Sequence, residues 1–575
     1  MQLTERQRAI LEGDEGAVMA KVLRTVVQYG EIFGAGRLAG LDGPVHVVTS
    51  MGMTGFEAVF DLLDQLIEAG LTTQEPFTVD PRPYDLDGVD YTATEKQALL
   101  ELYKHQDRYE DQLRALGMKD DRSYSCTAYL SEVGNTPAAG DVLAWAESSA
   151  VVYANSVLAA RSNRNSALIE LMCGIAGFTP EFGLLLDERR KATYLVEVRT
   201  SALPPATVLG SAVGRAVVGD VPFVAGIDTH LGDLNDPATQ DYLKDFGAAT
   251  ASNGAVGLFH VENLTPEARG HGRDLLTDDY RRVVIDDQAL ADLVADYPVL
   301  WEKEDAEPET ALIGCPHLSL NQLCTVTDTI LTALDAVGRS SVAMRTVLSA
   351  APAVVATFRT EHSQSFERAI TAGVTIASMC PALHMNTTAT ASRPVITNSN
   401  KLRTYTTSRF LADHDVLDRI AAPPAPTGAD PMNTFTGRVI TGGTLSGDSV
   451  VTRQGFNTLA SYFQGITTAS PVCHDQNNPD LYRKVIGGKI LCLPQTIGST
   501  TGGMVLQCAA SVGIAPAAML YSEHIDTISA AGIVLADIWD DNRIIAIDQL
   551  GPRFLDVVRD GQRIDIDLDG TVTID

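Results

Sequence analysis

Along residues 1–420 the spacing of apolar positions switches repeatedly between a helical and a strand-like period. Helical spacing runs over Glu15 to Tyr29, Gly55 to Ala69, Ala93 to Leu116, Val142 to Ala160 and Leu320 to Ala336. Between these lie short β-rich runs such as Val45 to Thr49, Tyr194 to Val198 and Val283 to Ile285. That alternation predicts an α/β architecture. It stops at Ala421 to Pro431, where four prolines and a glycine leave little scope for helix or strand, so the segment reads as an interdomain linker. Beyond it the pattern is mostly strand-like: Gly437 to Ile440, Asp448 to Thr452, Lys489 to Leu493, Ala517 to Leu520, Ile544 to Ile547 and finally Arg563 to Leu568, which alternates as a half-buried strand should. The expected layout is therefore a large domain over 1–420, a linker over 421–434 and a smaller β-rich domain over 435–575.

Composition narrows the partners. With 43 basic and 73 acidic residues the net charge is −30, which opposes nonspecific binding to nucleic acid or to an anionic membrane. A small molecule is the expected partner, and an anionic one would need local positive charge to reverse the field inside its pocket. Glu5, Arg6, Arg8, Glu12 and Asp14 interrupt the first 18 residues, so no signal-peptide core is expected there. The longest apolar segments, such as Thr346 to Phe358, fall short of the roughly 20 residues that span a bilayer, and a cytoplasmic location is expected. Eight cysteines in so long a chain do not read as a disulfide framework; Cys173, Cys324 and Cys492 read as buried apolar thiols and Cys508 as core.

Several groups of residues carry candidate chemistry. Cys126, Cys315 and Cys380 lie far apart in Ser125-Cys126-Thr127, Gly314-Cys315-Pro316-His317 and Met379-Cys380-Pro381. Spacing leaves two readings open, because no CxxC pair is present: three unrelated buried thiols, or thiolates from three loops gripping iron with a coordination position left for substrate. In the run Trp145 to Arg161, a continuous helix would put Arg161 about 40° around the axis from Glu147 and Asn155 about 80° to the other side. These polar groups are then either a solvated stripe or, given the apolar Ala150 to Tyr153 and Val157 to Ala160, part of a site. Thr397 to Lys401 offers hydroxyl, amide and ammonium groups that suit a carboxylate or simply a polar turn. Gln495 to Leu506 has the glycines and hydroxyls of a strand-to-helix loop that cradles an anion, without the Gly-Lys-Ser/Thr ending of a Walker loop.

Taken in order, these segments resemble the aconitase X family, the divergent dehydratases of the aconitase superfamily. Ser125 to Leu130 is similar to the family's Thr-Cys-Thr-Pro-Tyr-Leu, and Ala144 to Arg164 to its Glu-Ser-Ser-Ala-Val-x-Phe-Ala-Asn-Ser-Val-x-Gly-Ala-Arg-Thr-Asn. Further matches are Phe178 to Arg189, Leu258 to Ala268, Gly314 to His317, Cys380-Pro381 and Thr397 to Lys401. The resemblance implies a large multi-subdomain catalytic domain with an iron or iron–sulfur centre, and a smaller β-rich swivel domain that supplies a serine base. It makes Cys126, Cys315 and Cys380 the ligands of a mononuclear iron or of a 2Fe–2S or 4Fe–4S cluster.

By the same likeness Lys401 and Arg161 hold a substrate carboxylate, Asn155 and Asn398 fix the substrate, and Glu147 orients the hydroxyl or relays a proton. The family's swivel motif, Leu-Ser-Phe-Trp-Gly-Gly-Val-Asp, is nearest to Ala460 to Ile466, which makes Ser461 the base, with Ser446 and Ser449 as alternatives. The later family loop, Gly-Ser-Cys/Ser-Thr/Ser-Gly-Ser, corresponds to Gly498 to Gly503, where Ser499, Thr500 and Thr501 would face the substrate and the final serine is missing. The implied reaction is dehydration of a small hydroxy acid. Single-chain bacterial members act on cis-3-hydroxy-L-proline and two-chain archaeal members on a phosphorylated mevalonate; the fused layout favours the first. The alternatives are a hydratase or isomerase of another hydroxy acid, and a non-catalytic iron-binding protein on the same scaffold.

Overall fold

The computed structural model describes residues 1–304, 306–422, 434–499, 501–540 and 542–574. They fall into two compact units, Met1–Pro424 and Ala425–Asp575. Most of the expected linker, residues 423–433, lies outside the described residues.

The first unit is α/β. One all-parallel sheet runs in the order Val374–Ala377, Arg345–Ala350, Thr310–Leu318, Val395–Thr397, Arg409–Phe410. Its central strand is buried at every position, as expected of a parallel strand covered on both faces. A second parallel sheet runs Leu276–Asp286, Ala192–Arg199, Pro222–Ala225, His260–Val261. Helix Leu320–Ala336 spans the expected residues, opened by a capping box between Ser319 and Gln322. The second unit is β-rich: an eight-stranded mixed sheet ordered Thr434–Thr436, Thr571–Ile574, Arg563–Ile566, Leu445–Val451, Ile490–Leu493, Ala518–Tyr521, Ile545–Asp548, Arg438–Thr441, with helices between its parallel strands.

Two helices differ from the periodicity. Ala93 to Leu116 is not one helix but two, Ala93–Leu102 and Gln106–Ala115. The break takes a passing strand of chain: Gly52 accepts the His105 N–H, donates its own N–H to the Gln106 side chain, and lies so close that a Cβ there would sit 2.4 Å from backbone atoms of His105 and Gln106.

The second correction bears on the site. The helix expected over Val142 to Ala160 covers only Ser148–Ser156. Glu147 is its N-cap, accepting the Ala150 N–H, while Val142–Leu143 instead forms a parallel pair with Arg161–Ser162. The chain turns back at Ala159, which has a left-handed φ of 55°. Glu147 and Arg161 are therefore not on one helix.

Candidate active site

In the five-stranded sheet, the C-terminal ends of adjacent parallel strands carry the candidate residues, the edge at which open α/β sheets bind ligands. Cys315 sits in a bulge of Thr310–Leu318, between the pairings Ile313 with Leu348 and Leu318 with Ala350. Glycine is required before it: Gly314 has φ 113°, and a Cβ there would meet the Ser349 carbonyl oxygen at 2.2 Å. Cys380 follows Val374–Ala377, and Lys401 lies in the helix Asn400–Tyr405 that follows Val395–Thr397. Ser399 joins two of these ends, accepting the Leu402 N–H as helix cap and donating its hydroxyl to the Cys315 carbonyl.

His317 ties the three cysteine loops together. Its backbone N–H points at Cys126 Sγ at 3.3 Å, and its Nε2 lies 3.0 Å from the carbonyl of Met379, the residue before Cys380. A carbonyl accepts only, so Nε2 carries the proton and Nδ1 faces the Ser125 hydroxyl at 3.4 Å. Burial pushes the imidazole down to about 4, so it is neutral at physiological pH. Lys244 supports the same turn by donating to the His317 carbonyl at 3.1 Å.

The charged centre is a buried ion pair. Lys401 Nζ donates to Glu147 Oε1 at 2.6 Å and to Ser149 Oγ at 3.0 Å, and Ser149 donates to Glu147 Oε2 at 2.7 Å. Burial alone would raise Glu147, but Lys401, Ser149 and the Ala150 N–H outweigh it and hold the carboxyl below its ordinary value. Burial would likewise lower Lys401, yet Glu147 and the neighbouring Cys315 and Cys126 keep it well above its ordinary value. The three thiols share this field: burial pushes Cys126 well up and Cys315 and Cys380 to about 12, with Lys401 pulling each in the other direction.

Other expected site residues are committed elsewhere. Asn155 spends its amide on the Ser162 and Gly257 carbonyls and its carbonyl on the Ser162 N–H and Arg190, stitching the turn that follows its helix. Arg161 bonds the Leu185 carbonyl and Asp187. Asn398 donates to Asp413 at 2.8 Å and, with Cys315 and Ser399, lines a separate cavity of about 250 Å³.

In the second unit Ser461 lies on the inward face of helix Thr458–Ile466, fully buried, where its Oγ accepts from the Cys473 thiol at 3.4 Å. The hydroxyl expected to be the base is thus turned into that unit's own core. Of the alternatives, Ser449 is buried and donates to the Arg559 carbonyl. Ser446 lies within a strand, opposite Asp565. Ser499 and Thr501 are exposed at the start of helix Gly502–Ser511, Ser499 donating to Thr501 Oγ1 and accepting the Thr501 N–H at 3.3 Å. Thr500 lies outside the described residues.

One further buried acid carries a prediction. Glu170 is wholly buried, with Oε1 accepting the Val48 N–H at 3.0 Å and no partner for Oε2 among the described residues. Burial pushes it up to about 8. The folded state then holds a proton that the unfolded state releases above its ordinary 4.5, so this group's contribution to stability falls as pH rises from 4.5 to 8. Glu170→Gln is expected to gain stability over the parent on moving from pH 5 to pH 8, by a few kcal/mol at about 1.4 kcal/mol per pKa unit. Urea unfolding at the two pH values checks this.

Family models described as the aconitase X first domain, second domain and swivel domain match residues 1–188, 192–295 and 434–574. The phosphomevalonate dehydratase large subunit of Thermococcus kodakarensis is 33% identical over 325 residues, 56% of this chain and 75% of that subunit. The cis-3-hydroxy-L-proline dehydratase of Pseudomonas aeruginosa is 29% identical over 328 residues, 55% of this chain and 52% of that enzyme, so the match spans about half its length. The crystal structure of aconitase X from Thermococcus kodakaraensis in its holo-form matches with a TM-score of 0.61 at 28% identity, covering 74% of this chain and 100% of that one. This chain belongs to the aconitase X family and is a hydro-lyase of that family.

That membership suggests an iron-based cofactor. The donors fit it in kind: three thiols, two buried and Cys380 half-buried, kept protonated by desolvation, share one electrostatic neighbourhood in which a bound cation would favour their thiolates. Among the described residues, no group of three His, Cys, Asp or Glu side chains is drawn together closely enough to form a metal cage. No helix among them is long and apolar enough to cross a membrane.

Proposed function

We propose that this chain dehydrates cis-3-hydroxy-L-proline to an enamine that tautomerises to 1-pyrroline-2-carboxylate. The observation that carries the reading is the buried Lys401–Glu147 pair, in the electrostatic neighbourhood of Cys126, Cys315 and Cys380. The substrate choice is supported by the matches to the first, second and swivel domains on one chain, where the Thermococcus relative is named a large subunit. The higher identity to that relative favours a second reading, dehydration of a phosphorylated mevalonate.

In the first reading Lys401, with two N–H donors engaged by Glu147 and Ser149, turns its third to the substrate carboxylate. Glu147 orients the departing hydroxyl. Cys126, Cys315 and Cys380 would hold the iron centre, which would supply Lewis acidity toward that hydroxyl. The base takes the proton from the carbon bearing the carboxylate, and Ser499 suits this role better than Ser461: its hydroxyl is exposed, and the Thr501 N–H already directed at Oγ would stabilise the alkoxide. Gly498, at φ 103°, gives the loop a conformation that other residues rarely adopt.

The test uses the full chain, purified anaerobically and loaded with iron, against hydroxyproline isomers and a phosphomevalonate. Water loss from cis-3-hydroxy-L-proline, followed by NMR, supports the first reading; turnover of the phosphorylated acid alone supports the second. Ser499→Ala is expected to lose about 10²-fold or more in kcat, the usual worth of a general base. Ser461→Ala should stay within a few-fold of the parent, and the opposite ranking would return the base to Ser461.

A further inference from the structure

Beside the ion pair stands a carboxylate to which the reaction as read above gives no task. Asp80 directly follows strand Thr78–Val79, which pairs in parallel with His46–Val47. Its Oδ1 lies 3.2 Å from His46 Nε2. A relay behind it fixes the direction of that bond: Asn135 Nδ2 donates to Thr78 Oγ1 at 2.8 Å, and the hydroxyl of the wholly buried Thr78 lies 2.9 Å from His46 Nδ1. The buried hydroxyl needs an acceptor, and Nδ1 is the one within reach. His46 is then protonated at Nε2, the nitrogen that faces Asp80.

A fully buried imidazole, packed edge-on against Trp145, thus aims one carboxylate oxygen. The other oxygen receives no hydrogen bond from a described residue, and the side chain stays 18% exposed. Asp80 lies within the field of Glu147 and Lys401, and the Cys126 and Cys380 thiols feel its charge in turn. Lys401 is already matched by Glu147 at 2.6 Å, and among the described residues no Lys or Arg forms an ion pair with Asp80.

We infer that Asp80 determines substrate class, its open oxygen accepting a hydrogen bond from the protonated ring nitrogen of a cyclic amino acid. This rests on the proposed amino acid dehydration. Burial pushes the Asp80 carboxyl up to about 6, as befits an acid short of a cation, and an ammonium beside it would relieve that cost. A phosphorylated hydroxy acid brings only negative charge and meets repulsion at the same oxygen.

Calorimetry on the anaerobically purified, iron-loaded chain would compare L-proline with cyclopentanecarboxylate, which keeps the ring and carboxylate but lacks the nitrogen. The parent is expected to prefer proline by about tenfold or more, the usual worth of one charge-assisted hydrogen bond. In Asp80→Asn the ratio should fall to within about threefold, chiefly through weaker proline binding, at the level such a neutral contact retains. Should that variant not fold, Thr78→Val, which breaks the relay and leaves the carboxylate in place, is expected to lower the ratio about threefold. A parent ratio near one, undetectable proline binding, or a ratio unchanged in the variants overturns the inference. An Asp80-dependent preference for proline without hydroxyproline turnover upholds it and sinks the dehydration reading. Hydroxyproline turnover without that preference does the reverse.

Discussion

Lys401→Met is expected to lower the unfolding free energy by roughly 3 to 5 kcal/mol and to abolish turnover, because it strands the Glu147 carboxylate without its partner at a site almost closed to water. Adding Glu147→Gln should recover much of the stability and none of the activity, since the double variant no longer buries a lone charge. The pH dependence separates the partners. Glu147, held below its ordinary 4.5, contributes stability that is complete above that value and lost as pH falls through its lower folded value. Lys401, raised above its ordinary 10.5, contributes stability that is complete below 10.5 and lost only as pH rises through its folded value. Urea unfolding of the two single variants and the double variant at pH 7 measures the coupling; a Lys401→Met cost under about 1 kcal/mol, typical of exposed pairs, would mean that the pair is solvated.

The second large effect concerns the thiols. Cys126→Ser, Cys315→Ser and Cys380→Ser are each expected to reduce bound iron to background and activity with it, because a hydroxyl remains protonated where a thiolate is needed. Cys173→Ser and Cys492→Ser, at two fully buried thiols, should keep their iron. Iron analysis and the visible absorption of anaerobically purified variants give the answer. Full iron in any of the first three would remove that residue from the ligand set.

How far these sites were legible varied with how local their causes are. Leu320–Ala336 was readable because periodicity and a Ser319 cap act within a few residues. The strands after the linker were readable for the same reason, as with Arg563–Ile566, whose exposed and buried positions alternate. Asn155 and Arg161 are not legible from helical period, because the chain turns at Ala159 and a pairing with Val142–Leu143 overrides local preference. Spacing could not decide the cysteine trio, since long-range contacts through His317 rather than any local pattern join the loops. Glu147 and Lys401 were each visible as polar residues, but their pairing is a long-range contact. Asp80 was missed altogether. Val79-Asp80-Pro81 reads as a turn, and only the fold supplies the histidine that aims it.

Glu147 serves at once as the first hydrogen-bond acceptor of its helix and as the counterion of Lys401. Redesign of the pocket for a differently charged substrate is thereby constrained. A replacement at 147 that changes the site's charge and carries no side-chain acceptor leaves the Ala150 N–H at the start of Ser148–Ser156 uncapped, so a successful redesign has to keep a capping oxygen, such as that of serine or asparagine, at that position together with the new charge balance.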